Sequence, residues 1–321
     1  MSQWYKGNLH SHTRNSDGEW NVEQAVENYY QAGYSFLCLT DHNLYTDYRK
    51  EFEKEDFLIL PGVEAEAVLF DCYGQVVCLH HMNGILGTEE MQKKAIDGVY
   101  SHMEFVEPDK YYVTWNGQEA GKKLAQKLKR HGCIVTYNHP IWSRVKPEEF
   151  IETPQIDILE IYNYNTVNES GTGYDVTYWD LMLRNGYRIN AFASDDNHNG
   201  GQFPDSFGGF IMVKAEKLTQ DAICEAILKG DYYSSSGPEL YHWELKNDRL
   251  EVECSPVKKI NFIVGGLVGM GLTCFGKTGE QITKAEYPIN GNEKYIRIEC
   301  EDGKGHTAWS NPIYFQVMNG S

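Results

Sequence analysis

The sequence predicts an α/β domain built of parallel βα units, followed by a small antiparallel β domain. Three observations carry that expectation. Short apolar runs alternate with amphipathic helical stretches from the N-terminus to about residue 229, the pattern of parallel βα units. Nearly every one of these runs ends in a polar tip in which His, Asp, Glu or Asn recurs. From about residue 238 the texture changes to period-two alternation broken by Gly, Asn and Pro, which reads as antiparallel strands and turns. The expected division is therefore 1–237 and 238–321.

In chain order, a first strand runs into Asn8-Leu9-His10-Ser11-His12-Thr13-Arg14-Asn15-Ser16-Asp17-Gly18. Residues 21–33 follow as a helix: Asn21 is a candidate N-cap, Val22, Ala25, Val26 and Tyr29 form one apolar stripe, and Gly33 is a stop. The buried strand Ser35-Phe36-Leu37-Cys38-Leu39 ends in Thr40-Asp41-His42-Asn43. A charged segment at 46–56 then leads into Phe57-Leu58-Ile59-Leu60, which ends at Pro61-Gly62-Val63-Glu64. A helix at 118–130 precedes Cys133-Ile134-Val135-Thr136-Tyr137 and its tip Asn138-His139-Pro140. The strand 156–161 ends in Tyr162-Asn163-Tyr164-Asn165, and after a helical stretch at 174–185 the strand 189–193 ends in Ser194-Asp195-Asp196-Asn197-His198. A strand at 209–213 and a helix at 219–229 close the series before the turn-rich 232–238. Beyond it, 250–254, 260–264 and 295–300 alternate as half-buried strands.

In a barrel of βα units the functional groups gather at the carboxyl ends of the strands. Collected in order, those ends carry His10, His12, Asp17, His42, Glu64, His139, Asp196 and His198. His10 and His12 lie two residues apart, so in an extended conformation both leave the same face. Imidazoles beside carboxylates are metal donors. Asp195 is the alternative to Asp196, and Asp41 stands next to His42 as a group that could orient a ligand.

Together these groups resemble the PHP (polymerase and histidinol phosphatase) domain, in which an HxH motif, a second-strand DH, a bridging Glu, a later His and a closing DxH occur in this order. The resemblance spans roughly residues 5–237. The turn Ser234-Ser235-Ser236-Gly237-Pro238, and the β domain after it with Ala308-Trp309-Ser310-Asn311-Pro312-Ile313 near its end, resemble more narrowly the CehA/McbA-type branch of PHP metallohydrolases. The resemblance implies a distorted (β/α)7 TIM-like barrel and two or three divalent ions, Mn, Fe or Zn. It further implies that one ion takes His10, His12, Glu64 and Asp196, that Glu64 and His139 share a second, and that Asp17, His42 and His198 hold a third. About eleven residues after the bridging Glu the family commonly has another His, where this chain has Gln75. Glutamine is a far poorer ligand for a transition metal, so the second site is expected to be weakened. His80 and His81 are the nearby substitutes, and strand alternation lets only one of them face inward.

A chain of 321 residues can bury a large and a small domain. The 46 acidic and 29 basic residues leave a net charge of -17, which opposes attraction to nucleic acid and to anionic membranes. The expected partner is a small molecule. Eight cysteines with no CxxC spacing, mostly in apolar runs, read as buried free thiols of a reducing compartment. The N-terminal residues lack the apolar stretch of a signal peptide and no run reaches the length of a membrane span, so a soluble cytoplasmic protein is expected.

Clustered divalent ions lower the pKa of a shared water and clamp the oxygens of a phosphoryl or carbonyl group. The leading expectation is a phosphoesterase that uses metal-bound hydroxide on a small phosphorylated metabolite or nucleotide. A carbamate, ester or amide hydrolase with the same centre is one alternative, and a noncatalytic metal-stabilised binding module is another. A phosphate substrate also calls for an arginine able to hold two oxygens, and Arg14 and Arg144 are the candidates. The aromatic group Tyr162, Tyr164, Tyr174, Tyr178 and Trp179 can either line a pocket or pack the core.

Overall fold

The computed structural model describes residues 2–151, 153 and 155–315. The chain divides into two compact units, Met1–Asp231 and Tyr232–Ser321. The first is a mixed α/β fold around a large sheet. It opens with β1 (Gln3–Asn8), α1 (Val22–Gln31), β2 (Phe36–Leu39), β3 (Leu44–Thr46), α2 (Arg49–Phe52) and β4 (Leu58–Phe70). Asn21 accepts the Gln24 N–H and the Gln24 side chain accepts the Asn21 N–H, a capping box that satisfies two otherwise orphaned donors. The helix then buries Val22, Ala25, Val26 and Tyr29 with Leu37 and Leu39 of β2 and Phe57 and Ile59. β2 pairs in parallel with both β1 and β4, and all four of its residues are buried, as a strand covered on both faces requires.

Regular βα alternation is interrupted by the short β3 and stops at β4. This strand of 13 residues turns back directly into β5 (Val76–Leu86) as an antiparallel hairpin. The connection is a tight turn in which the Asp71 carboxylate accepts the N–H groups of Tyr73 and Gln75, with Gly74 at φ 78°. An antiparallel pair needs only such a turn, whereas a parallel pair needs a crossover. The expectation of uniform βα units is corrected here. After α3 (Glu89–Lys93), β6 (Met103–Phe105) pairs with β3 and β7 (Asp109–Tyr112) with β4.

Alternation resumes with α4 (Gly117–Arg130), β8 (Cys133–Tyr137), α5 (Pro147–Phe150), β9 (Ile158–Asn163), α6 (Tyr164–Ser170), α7 (Val176–Arg184), β10 (Asn190–Ser194), β11 (Phe210–Ala215) and α8 (Gln220–Lys229). β8, β9 and β10 are parallel neighbours, β8 lies antiparallel on β5, and β11 lies antiparallel on β1. Successive pairings therefore connect β11, β1, β2, β4, β5, β8, β9 and β10. No helix among the described residues is long and apolar enough to cross a membrane.

The second unit is antiparallel β throughout its described pairings. It contains β12 (Tyr232–Ser235), β13 (Leu240–Lys246), β14 (Arg249–Val257), β15 (Lys259–Gly265), β16 (Leu272–Phe275), β17 (Ile282–Pro288), β18 (Tyr295–Glu301), β19 (Thr307–Ser310) and β20 (Ile313–Tyr314). β13, β14 and β17 form one sheet. In the other, β12 pairs with β19, β19 with β18, and β18 with β15 and β20, while β16 lies on the far side of β15. Tyr232–Ser235, a turn by its sequence, is thus a strand, and its pairing with β19 draws the unit boundary to residue 231.

Gly209, just before β11, is held by the end of β10: a Cβ there would stand 2.0 Å from the Ser194 carbonyl oxygen. Backbone cannot yield as a side chain would, so Gly209→Ala should destabilise the protein by about 1–3 kcal/mol. Gly200, with open space around it, is the control. Calorimetry should show a melting point several degrees lower for Gly209→Ala and near wild type for Gly200→Ala; equal midpoints would refute the close approach.

Candidate metal centre

Different strands deliver the site. His10 and His12 follow β1, and Ser11 bridges to Asn197 while the Asp196 N–H donates to the His10 carbonyl, which holds the segments after β1 and β10 side by side. His42 follows β2 and forms a bridge with Glu64 inside β4. His139 follows β8, and Asp196 and His198 follow β10. His139 and Asp196 have φ of 27° and 54°, a left-handed backbone that residues other than glycine adopt rarely and often at functional sites.

All eight expected residues converge. His10 Nε2 lies 3.2 Å from Glu64, 3.1 Å from Asp196 and 3.2 Å from His12 Nε2. His12 Nε2 lies 2.9 Å from Asp196 and 3.4 Å from Glu64. His42 is 3.1 Å from Glu64 and 3.6 Å from Asp17, which is 3.4 Å from His198. His139 Nε2 reaches Glu64 at 3.3 Å. His10, His12, Glu64, His139 and Asp196 are buried; Asp17 is the most open of the set.

The donor set fits cations. His10, His12, Glu64 and Asp196 form one group whose donor atoms lie within 4.8 Å of one another; His12, Asp17, His42 and His198 form a second; and His42, Glu64 and His81 a third. His12 Nδ1, His81 Nδ1, Glu64 Oε2 and Asp196 Oδ1 are buried and make no well-aligned hydrogen bond, only close contacts with one another's side chains and those of the neighbouring ligand candidates. Buried polar atoms normally find well-aligned hydrogen bonds, and four that instead crowd toward one another are what a set of ligand positions presents.

Burial lowers the His12 imidazole, but the hydrogen bonds and charges of Asp196 and Glu64 outweigh it and push it up to about 10. His81 is likewise pushed up to about 9, against the pull of burial, by Glu64 and Glu66. Burial would raise Glu64, yet His10, His81 and His42 hold its carboxyl well below the usual range. The same competition, won by His10 and His12, keeps Asp196 low.

The sequence alone does not choose between His80 and His81. Register places Glu64 opposite Asn83 and Glu66 opposite His81, while His80 lies opposite Ala67. Alternation therefore turns His81 toward Glu64, at 3.2 Å. His80 faces away, bonded to the Tyr137 hydroxyl and the Gly117 carbonyl. Gln75 is exposed in the hairpin turn, so the expectation that it weakens a site is corrected: Gln75 is outside the cluster and His81 is in it.

Further polar groups support the cluster from outside it. Asn138 donates to Glu64 and Asn83, both at 2.8 Å. Glu160 of β9 is buried against His10. Asp195 points away from the cluster and accepts the N–H groups of Phe207, Gly208 and Gly209 and the Tyr29 hydroxyl. Asp41 holds the loop that carries Asp17, through Thr13 and Ser16, rather than orienting His42. A carboxylate flanked by N–H groups in neighbouring residues carries no distinctive spacing, which is why these roles were not legible.

A cavity of about 320 Å³ opens beside the cluster, lined by Asp17, His42, Glu64, His81, His139 and Asp196 and, beyond them, by Trp142, Asn165, Glu169, Gln202 and Phe203. Trp142 donates to Glu169 at 2.6 Å. Arg14 and Arg144 do not line it. Both are exposed: Arg14 is pinned by its N–H to the Trp20 carbonyl, and Arg144 sits in a turn at φ 60°. Tyr162, Tyr164, Tyr174, Tyr178 and Trp179 do not line the cavity either; Trp179 is a core residue donating to the Ile189 carbonyl.

Two outcomes follow. His81→Ala should lower the metal bound per chain while Gln75→Ala leaves it unchanged, measured by elemental analysis; the reverse would restore Gln75 to the site. The carboxylates of Asp196, Glu64 and Glu66 favour the protonated forms of His12 and His81 in the ion-free protein, and ligation needs neutral imidazole. Loading with Zn should therefore acidify a weakly buffered solution, and apparent affinity should rise between pH 7 and 9, by about tenfold per unit for each proton displaced. Affinity flat with pH would count against it.

No protein-family model and no curated protein matches the chain. Among solved structures, the chain is similar to a two-domain protein from Bacteroides vulgatus ATCC 8482 containing a predicted PHP-like metal-dependent phosphoesterase. The identity is 12%, over 97% of this chain and 96% of that one, with a TM-score of 0.48. It is also similar to a protein from Bifidobacterium adolescentis ATCC 15703, itself assigned only provisionally as a metal-dependent phosphoesterase, at 14% identity over 70% of this chain and 95% of that one, with a TM-score of 0.44. Likeness at this level leaves the function to be read from the site.

Proposed function

We propose that the protein is a metal-dependent hydrolase, a phosphoesterase acting on a small phosphorylated metabolite or nucleotide. Its centre lies in 1–237, which we read as a distorted barrel of the PHP kind. The observation that carries the reading is the buried cluster, in which imidazoles and carboxylates overlap around one shared carboxylate, Glu64. His10, His12, Glu64 and Asp196 would hold one ion, Glu64 with His81 and His139 a second, and Asp17, His42 and His198 a third. Mixed His and carboxylate donors suit Mn, Fe or Zn. Bound ions would supply Lewis acidity toward the phosphoryl oxygens and a water of lowered pKa.

The chain's own residues define what enters. A cavity of about 320 Å³ suits a small molecule. Trp142, fixed by Glu169, offers an apolar wall, and Asn165 and Gln202 offer neutral hydrogen-bonding groups. The free cysteines, six of them buried, support a reducing compartment such as the cytoplasm. The net charge of -17 supports a small-molecule substrate over long nucleic acid.

One observation favours a second reading. Among the described residues the cavity is lined by Asp17, Glu64, Glu169, Asp196 and Asp205 and by no Lys or Arg, so a phosphate would find its countercharge only in bound ions. An uncharged carbamate, ester or amide carbonyl makes no such demand, and the CehA/McbA-type resemblance points the same way. Release of phosphate from p-nitrophenyl phosphate with added Mn, abolished in His10→Ala, is the expected result. Turnover of naphthyl esters or carbamates alone would establish the second reading. Stoichiometric metal uptake with neither activity would overturn both and leave a metal-stabilised binding module.

A further inference from the structure

Glu160 is fully buried in β9, and no lysine or arginine forms an ion pair with it among the described residues. Its two oxygens are occupied. Oε1 faces His10 Nδ1 at 2.9 Å and accepts the Ser194 hydroxyl at 2.5 Å. Oε2 accepts the His139 N–H at 2.9 Å and the Asn163 amide at 3.0 Å. A carboxylate has about four acceptor positions, and all four are taken. Glu160, His10 and His139 lie close enough together to count as a ligand group, but Glu160 has no lone pair left to give.

We propose that Glu160 is a positioning residue that sets the tautomer of His10, holding the hydrogen on Nδ1 so that Nε2 is presented bare to the ions. This rests on the metal-centre reading above. The geometry makes the choice one-sided. Glu160 is acceptor-only, so the ring nitrogen facing it must donate, and Nε2 is the atom that lies among Glu64, His12 and Asp196. Carboxylate–imidazole pairs of this kind fix ring orientation and raise ligand basicity.

Asn163 extends the device. Its Oδ1 accepts the Thr166 N–H at the start of α6, which fixes the amide's orientation. The two hydrogens of its NH₂ group then reach Glu160 Oε2 at 3.0 Å and Asp196 Oδ2 at 2.9 Å. One buried carboxylate thus ties together the ring of His10, the backbone of His139 and, through Asn163, the Asp196 carboxylate, from three different strand ends.

Glu160→Gln keeps the shape and removes the acceptor-only character: its NH₂ faces either His10, forcing the hydrogen onto Nε2, or the His139 N–H, donor against donor. Zinc affinity of the folded variant, measured by chelator competition, should fall about 10–100-fold. Ser194→Ala, which leaves the His10 bond in place, should retain affinity within a few-fold. In zinc-loaded wild type, ¹⁵N-histidine NMR should show His10 protonated on Nδ1 and coordinated through Nε2. That measurement needs no variant, so it stands even where Glu160→Gln fails to fold. Wild-type affinity in folded Glu160→Gln, or His10 coordinated through Nδ1, would overturn this proposal alone. A wild type that takes up no zinc would overturn the metal reading and this proposal with it.

Discussion

The structure turns on one buried carboxylate. Glu64 has no exposure, and nitrogens from His10, His12, His42, His81 and His139 all lie within 3.4 Å of it. An ionised group removed from water costs several kcal/mol, on the order of magnitude expected after relaxation, unless opposite charge and hydrogen bonds compensate it. Those five histidines come from the segments after β1, β2 and β8 and from β5. The parallel pairing of β1, β2 and β4, and the antiparallel return through β5, are what bring them to one point.

That centre is expensive to assemble, and the surrounding polar groups show how it is held. Asn138 bonds Glu64 from behind, Glu160 bonds His10, and Asp195 gathers the loop before β11. Left-handed backbone at His139 and Asp196 persists because each is held by its N–H, to Glu160 and to the His10 carbonyl respectively. Packing supplies the frame: α1 covers β2 and leaves Leu37, Leu39, Phe57 and Ile59 no exposed surface, which fixes where the strand tips can lie.

The cavity sets the chemistry apart from the cluster. Its wall joins carboxylates to an indole and neutral amides, with the arginines of neighbouring segments turned to solvent. On the proposed reading, charge on a substrate would be met by bound ions, and shape and hydrogen bonding by the protein.

Strand tips were legible in the sequence because a residue's place after an apolar run is a local property. The strand ends that carry His10, His12, His42, Asp196 and His198 could be located from periodicity, as could the helix at 21–33 and the antiparallel texture beyond 238, while the family resemblance ordered those residues into HxH, DH and DxH motifs. The hairpin of β4 and β5 was not legible, since an 11-residue strand after a tight turn differs from a βα unit only in what it pairs with. His81 and His80 are chemically identical neighbours, and only the register opposite Glu66 and Ala67 decides which one faces the centre. Glu160, Asn138 and the exclusion of Arg14 and Arg144 likewise depend on distances across the fold. Sequence by itself determined which residue types stand at the strand ends. Tertiary structure alone decided which of them share a buried volume, because desolvation and hydrogen bonding act on neighbours in space and not along the chain.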